Sequence, residues 1–402
     1  MKLPLDNVKV LDLTRYLSGP YCTMILGDLG ADVTKIERFP KGDDVRRLGP
    51  HINGESYCFA SVNRHKQSLA LDLKSDRGRE IVLELVDEAD IVVENFRPGA
   101  AARLGLDYET LSAIKPELVY ASISGFGQTG PYTHRAGFDI IAQGVSGLMR
   151  MTGQPDGEPT KVGFAVNDIS AGITAAVGIL GAHIHRLNTG EGQHIDVSLV
   201  DAALAWTVWE SAAYFGSGEL PQPTGSRHRR SAPYQTYRTQ DGYVTVGANT
   251  DRLWQNFCVQ VAGKPEWLDD PRYAELLTRL DHLDELQDDI EAVFATATTE
   301  EWIRRLDDAG VPGGPVYTYD QTLSDPHVQA REMVLEMDHP VIGPMRSLGF
   351  PIKYSGTPLS IRQVAPTIGQ HTSDVLQRLG YSQEQIDELA DAGVVQDGGQ
   401  PE

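Results

Sequence analysis

Short apolar runs alternate with amphipathic stretches along the first half of the chain. Residues 8–13 (VKVLDL), 31–37 (ADVTKIE), 67–73 (QSLALDL), 91–94, 118–123 and 194–199 (HIDVSL) read as strands. Helical patterns over 21–29, 76–89 and 100–104 separate them. Apolar strands joined by helices predict an open parallel sheet with its helices as crossovers. Residues 169–185 combine Ala, Gly, Ile and Leu with almost no charge, which predicts a buried helix, and 200–215 predict another.

The second half changes character. Residues 216–231 (GSGELPQPTGSRHRRS) carry the Gly, Pro and Ser of a linker. Residues 234–246 read as a hairpin turning at Asp241-Gly242, and 251–306 as helices with Trp254, Phe257, Trp267, Phe294 and Trp302 in their core. A helix over 319–325, strands within 337–358 and a polar helical tail complete the pattern. The expected architecture is α/β: a Rossmann-like large domain over residues 1–215, a linker at 216–232, a smaller α+β domain at 233–318, and a return at 319–402 to the large domain.

Composition narrows the partners. A net charge of −21 argues against nucleic acid and against an anionic membrane surface. Only ten lysines face 56 acidic residues, which are spread along the chain, and self-repulsion of that kind suits a salt-rich milieu. Cys22, Cys58 and Cys258 are too far apart for a zinc pattern, and no metal is expected. The chain enters a strand pattern almost at once, without a signal-peptide-like apolar stretch, so a cytoplasmic protein is expected.

The loop after the first strand, Arg15-Tyr16-Leu17-Ser18-Gly19-Pro20, lacks the GxGxxG of a dinucleotide site. Polar or basic groups recur after successive strands, at Arg38, Lys74, Asn95 and Ser124. Ligands of open parallel sheets lie beyond the carboxyl ends of the strands, so this recurrence predicts an extended anionic ligand. The basic loop at 38–47 suits a phosphate clamp as well as a solvated loop. Asp168 precedes the Ala/Gly-rich helix, where it can serve as a plain N-cap or as a carboxylate nucleophile.

Several longer stretches together resemble the class III CoA-transferases, which include formyl-CoA transferase and the α-methylacyl-CoA racemases. They are VKVLDL near the start, GADVTKIER at 30–38, ENFRPG at 94–99 and SISGFGQTGPY at 122–132. The block from Asp168 to TGEGQHIDVSL and GQHTSDVLQRLGYS at 369–382 are similar as well. The resemblance implies that Asp168 is the nucleophile. Its carboxylate, with an ordinary pKa near 4, would attack the donor thioester, forming a mixed anhydride and releasing the CoA thiolate. The thiolate would convert the anhydride to an aspartyl-CoA thioester. An acceptor carboxylate would then take CoA through a second anhydride.

By the same resemblance Leu17, Ser18, Arg38, Leu71, Asp72, Leu73, Lys74, Asn95, Phe96 and Arg103 line CoA, with Arg135 replacing a lysine whose place is taken by Ala136. No cofactor is permanently bound; CoA thioesters are substrates. The family also implies a homodimer of interlocked rings. Phe138 stands where racemases have a basic histidine, and no glycine flap of the formyl-CoA transferase kind lies between Ser217 and Gln255. Succinyl-CoA as donor and mesaconate, citramalate or malate as acceptor is therefore the expected pair, in a salt-loving archaeon. Racemization, formyl transfer to oxalate, and CoA binding without catalysis are the rivals.

Overall fold

The computed structural model describes residues 2–398, which divide into two compact units. The larger comprises residues up to 149, 161–219 and from 329 onward; the smaller comprises 150–160 and 220–328. Residues 220–232 of the linker and the hairpin region thus fall in the smaller unit, as do residues 150–160 and 319–328, which the sequence pattern placed with the large domain.

Six parallel strands build the large unit: β1 (Lys9–Asp12), β2 (Asp32–Glu37), β3 (Lys66–Leu71), β4 (Ile91–Glu94), β5 (Val119–Ser124) and β6 (Gln193–Ser198). Their spatial order is 3-2-1-4-5-6, and the short strand Val395–Gln396 pairs antiparallel with β3 at the edge. The order reverses between β1 and β4, which opens the crevice where ligands of such sheets bind.

The sheet is apolar on both faces, which is why its strands read as near-continuous apolar runs. Successive residues go to opposite sides. Val10, Val33, Val93 and Ala121 face one core with helices α1 (Ser18–Asp28) and α3 (Val166–Thr189). Leu11, Ile36, Leu69 and Val92 face the other, with Ile81, Leu85, Val375 and Ile386. Each fully buried aliphatic side chain contributes roughly 1.5–3 kcal/mol.

The long helix α3 differs from expectation: it is buried along one side only. Ala171, Ala175, Ile179 and Ala182 face the core, whereas Ile173, Val177, Ile184 and Leu187 are exposed. In the smaller unit, Tyr234–Arg238 and Tyr243–Gly247 form the expected hairpin, extended by Gly313–Pro315. Trp254, Phe257, Phe294 and Trp302 fill its core.

Candidate active site

The loops after β1 and β4 meet at the switch point. The Asn95 side chain accepts the Arg15 N–H at 2.8 Å and donates to the Arg15 carbonyl at 2.6 Å, which ties the two loops together. Arg15 lies 5.8 Å over the Phe96 ring and 3.2 Å from Asp44, and Arg38 donates to the same Asp44 at 2.5 Å. Two guanidinium groups, an aromatic face and a cap of helix α1 thus converge. Leu17 is that cap and is half-buried, and Ser18 is the first helical residue and buried.

The other predicted contacts are more scattered. Leu71 is wholly enclosed in the core, so its side chain cannot meet a ligand; Asp72 and Leu73 are half-buried and Lys74 is exposed beyond them. Arg103 is exposed on the helix Ala100–Leu104, and Arg135 stacks 3.7 Å over Tyr132. Arg46, grouped with Arg38 in the basic loop, points inward: it binds Glu37 at 2.8 Å and sits 3.5 Å over the Phe59 ring. It fixes the loop and is not a free clamp. In the smaller unit Arg227 is paired with Asp284 at 2.6 Å, and Arg229 donates to the Gln222 and Met151 carbonyls. Neither guanidinium is idle. Among the described residues no group of three or more His, Cys, Asp or Glu is placed to hold a metal, and no helix is long and apolar enough to cross a membrane.

Asp168 is not the cap of α3. The helix begins at Val166, its N-cap is Ala165, and no side chain of its own caps it. The capping is done from outside. Asp139, on helix α2 (Asp139–Val145), accepts the Asn167 N–H at 2.8 Å, and its other oxygen is held by Gln143 Nε2 at 2.7 Å. Gln143 Oε1 in turn takes the Val162 N–H at 2.8 Å. Asn167 is fully buried, and its Oδ1 has no hydrogen-bond partner among the described residues.

Freed from capping, the Asp168 carboxyl stands half-buried in the first turn. Burial, and then the like charge of Asp139, pushes its pKa up to about 7. This corrects the expectation of an ordinary carboxylate: the group is poised between its two protonation states near neutral pH. Close packing explains the burial. A Cβ on Gly172 would lie 2.7 Å from the Ser18 carbonyl, so α1 rests directly on α3 one turn beyond Asp168. A Cβ on Gly125 would lie 2.5 Å from the Gly137 Cα, which brings the loop after β5 against the entry to α2.

Sequence reasoning took up Phe138 in the place of a racemase histidine and gave no role to Asp139, Gln143, Asn167 or Tyr16. The available signal was the acid of Gly137-Phe138-Asp139 directly before a helix, with a glutamine one turn later.

The chain has extensive similarity to known proteins. The chain is 39% identical over 395 residues to the succinyl-CoA:glutarate CoA-transferase of Mus musculus, covering 98% of this chain and 90% of that protein. It is 40% identical over 387 residues to the succinyl-CoA:mesaconate CoA-transferase of Haloarcula marismortui, covering 94% and 96%. The crystal structure of a CaiB/BaiF family protein from Brucella suis superposes with a TM-score of 0.84 at 37% identity, covering 94% of this chain and all of that one. CoA-transferase family III matches residues 5–372, and the chain belongs to that family of enzymes.

Proposed function

We propose that the protein transfers CoA from succinyl-CoA to a C4–C5 dicarboxylic acid, mesaconate above all, with Asp168 as nucleophile. The observation that carries this reading is the Asp168 carboxyl, half-buried in the first turn of α3 and relieved of capping by Asp139. The ionised carboxylate attacks the donor thioester carbonyl, the C–S bond breaks, and the CoA thiolate leaves an aspartyl–succinyl anhydride. The thiolate returns to the aspartyl carbonyl, releasing succinate and leaving an aspartyl-CoA thioester. The acceptor carboxylate displaces CoA from that thioester, and the thiolate then attacks the acceptor's carbonyl to give the new acyl-CoA and free Asp168. Backbone N–H groups of the first turn would steady the oxyanions.

Arg15, Arg38 and Phe96, gathered at the switch point, are the groups we assign to the phosphate and base end of CoA, with Leu17 and Ser18 beside the thioester arm. Lys74, Arg103 and Arg135 are outer contacts in this reading. Glutarate belongs among the acceptors to be tried because relatives named for glutarate and mesaconate match nearly the whole chain. The exposed Val177, Ile184, Leu187, Trp206, Val208 and Trp209 form a surface of the kind a second copy covers, and we assign the protein to a homodimer.

The test is a panel of acceptors with succinyl-CoA in low and high salt: mesaconate, citramalate, malate, glutarate, oxalate and carnitine. Transfer to a dicarboxylate, with a CoA adduct in the intact mass spectrum that disappears in Asp168→Asn, supports the reading. Transfer that survives in Asp168→Asn removes Asp168 as nucleophile. CoA binding without transfer to any acid leaves a binding protein, and solvent deuterium entering the α-carbon of an acyl-CoA points to a racemase.

A further inference from the structure

The turn after β1 is held by side chains where neighbouring strands no longer reach. The Thr14 N–H donates to Asp12 Oδ1 at 2.8 Å, and the Thr14 carbonyl accepts from Lys35 Nζ at 2.7 Å. Both polar groups of the Arg15 main chain are taken by Asn95, and the Tyr16 N–H donates to Asp43 Oδ1 at 3.1 Å. Five successive backbone groups are therefore fixed by four side chains, drawn from β1, β2, the loop after β2 and the loop after β4. The clamp is itself anchored. Lys35 is wholly buried, with its ammonium 3.0 Å from Asp43 and 3.9 Å from Asp12, and Lys66 binds Asp12 at 3.0 Å. Asn95, expected to touch CoA, has both ends of its amide occupied by this task.

What the clamp enforces is unusual. Tyr16 has φ +66°, the left-handed region, which costs a residue with a Cβ about 1 kcal/mol or more. Held there, its ring meets that of Phe138 edge to face, 6.5 Å between centroids, yet the two residues remain 46% and 59% exposed. They are not core. Both are tied closely to helix α3: the Ser18 carbonyl, two residues on from Tyr16, rests on Gly172, one turn beyond Asp168. Phe138 directly precedes Asp139, whose carboxylate holds the amide of Asn167.

We propose that Tyr16 is a specificity-determining residue: clamped by Asp12, Lys35, Asp43 and Asn95, its ring forms with Phe138 an apolar wall that limits the carbon chain presented to Asp168. This rests on transfer at Asp168. The four clamping side chains act through Tyr16 and are positioning residues.

Tyr16→Gly tests the wall without disturbing the turn, because glycine occupies this φ freely. With succinyl-CoA as donor, kcat/KM is measured for straight-chain dicarboxylates from pentanedioate to octanedioate. The ratio of octanedioate to pentanedioate should rise about tenfold or more in the variant, the usual worth of methylene-sized discrimination in an apolar pocket. The KM for succinyl-CoA should stay within about twofold. Tyr16→Asn, a side chain that tolerates the left-handed region, repeats the ring deletion if the glycine variant fails to fold. Asn95→Leu releases the turn while keeping its bulk, and should move the same ratio in the same direction. A merely structural Asn95 would instead lower all acids alike together with the melting temperature, and that result overturns the positioning role. An unchanged ratio in a Tyr16→Gly enzyme that still transfers to pentanedioate overturns the proposal alone. Wild-type protein that transfers to no acid removes the transferase reading, and this proposal with it.

Discussion

Asp139→Asn separates the two causes of the raised carboxyl at Asp168. The pKa of Asp168 stands at about 7 against 3.8 for a free aspartate, so its charged form is disfavoured by roughly 4 kcal/mol at about 1.4 kcal/mol per pH unit. Burial is the larger cause and the Asp139 charge the smaller, so Asp139 accounts for less than half of that rise. Removing its charge should lower the pKa by about one pH unit. Only the ionised carboxylate attacks a thioester. At pH 5.5, a carboxyl titrating at about 7 is ionised in about 3% of molecules and one titrating near 6 in about 24%. The variant should therefore be about eightfold faster at pH 5.5, and within about twofold of wild type at pH 8.5. The assay is the pH profile of kcat/KM for succinyl-CoA, with melting curves taken at each pH. An acid limb that stays in place or moves to higher pH in Asp139→Asn would refute the role of its charge. A wild-type limb near pH 4 would refute the raised carboxyl itself.

Three further outcomes follow from the same geometry. A carboxyl whose folded pKa is raised weighs against the folded state above its unfolded pKa, increasingly so up to its folded pKa; Asp168→Asn should thus stabilise the protein by up to about 4 kcal/mol at pH 8 and by almost nothing near pH 4, as chemical denaturation at the two pH values will report. Lys35→Met leaves Asp12 and Asp43 without the ammonium between them and should cost about 3–5 kcal/mol of unfolding free energy, with a lower midpoint in urea. Gly172→Ala forces a methyl to 2.7 Å from the Ser18 carbonyl, so about 1–3 kcal/mol of stability should be lost, and the carboxyl at Asp168 should titrate lower as α1 is pushed away.

Most of the large sheet was legible because a strand buried on both faces is largely apolar, and runs such as VKVLDL keep that pattern around one buried acid, Asp12. The polar positions that close those strands were legible too, since they interrupt the apolar runs at Arg38, Lys74, Asn95 and Ser124. The failures share one physical origin, partners distant in sequence. Asp168 carries every local sign of a cap, and only Asp139, folded back from another helix, takes that duty away. Helix α3 looks buried all round because its sequence cannot say that Val177 and Leu187 face outward. Gly313–Pro315 reads as a loop, yet its backbone can pair with Val244–Val246 without any side-chain signature. Lys35 and Lys66 fall in strands like ordinary outward polar residues, and their burial depends on Asp12, which only the closed sheet supplies.

The pairing of Val395 and Gln396 with Leu71 and Ala70 has a bearing on how the chain is made. Synthesis runs from the amino terminus, so β3 waits for more than three hundred further residues before its open edge is covered. The smaller unit, apart from residues 150–160, is one continuous stretch and leaves the ribosome complete well before that. During this interval the exposed rim of β3 offers unpaired amides and carbonyls to any extended strand nearby, a hazard that grows with crowding of nascent chains. The strand Val395–Gln396 is therefore also the seal that ends this vulnerability, and a pause in translation before it emerges would prolong it.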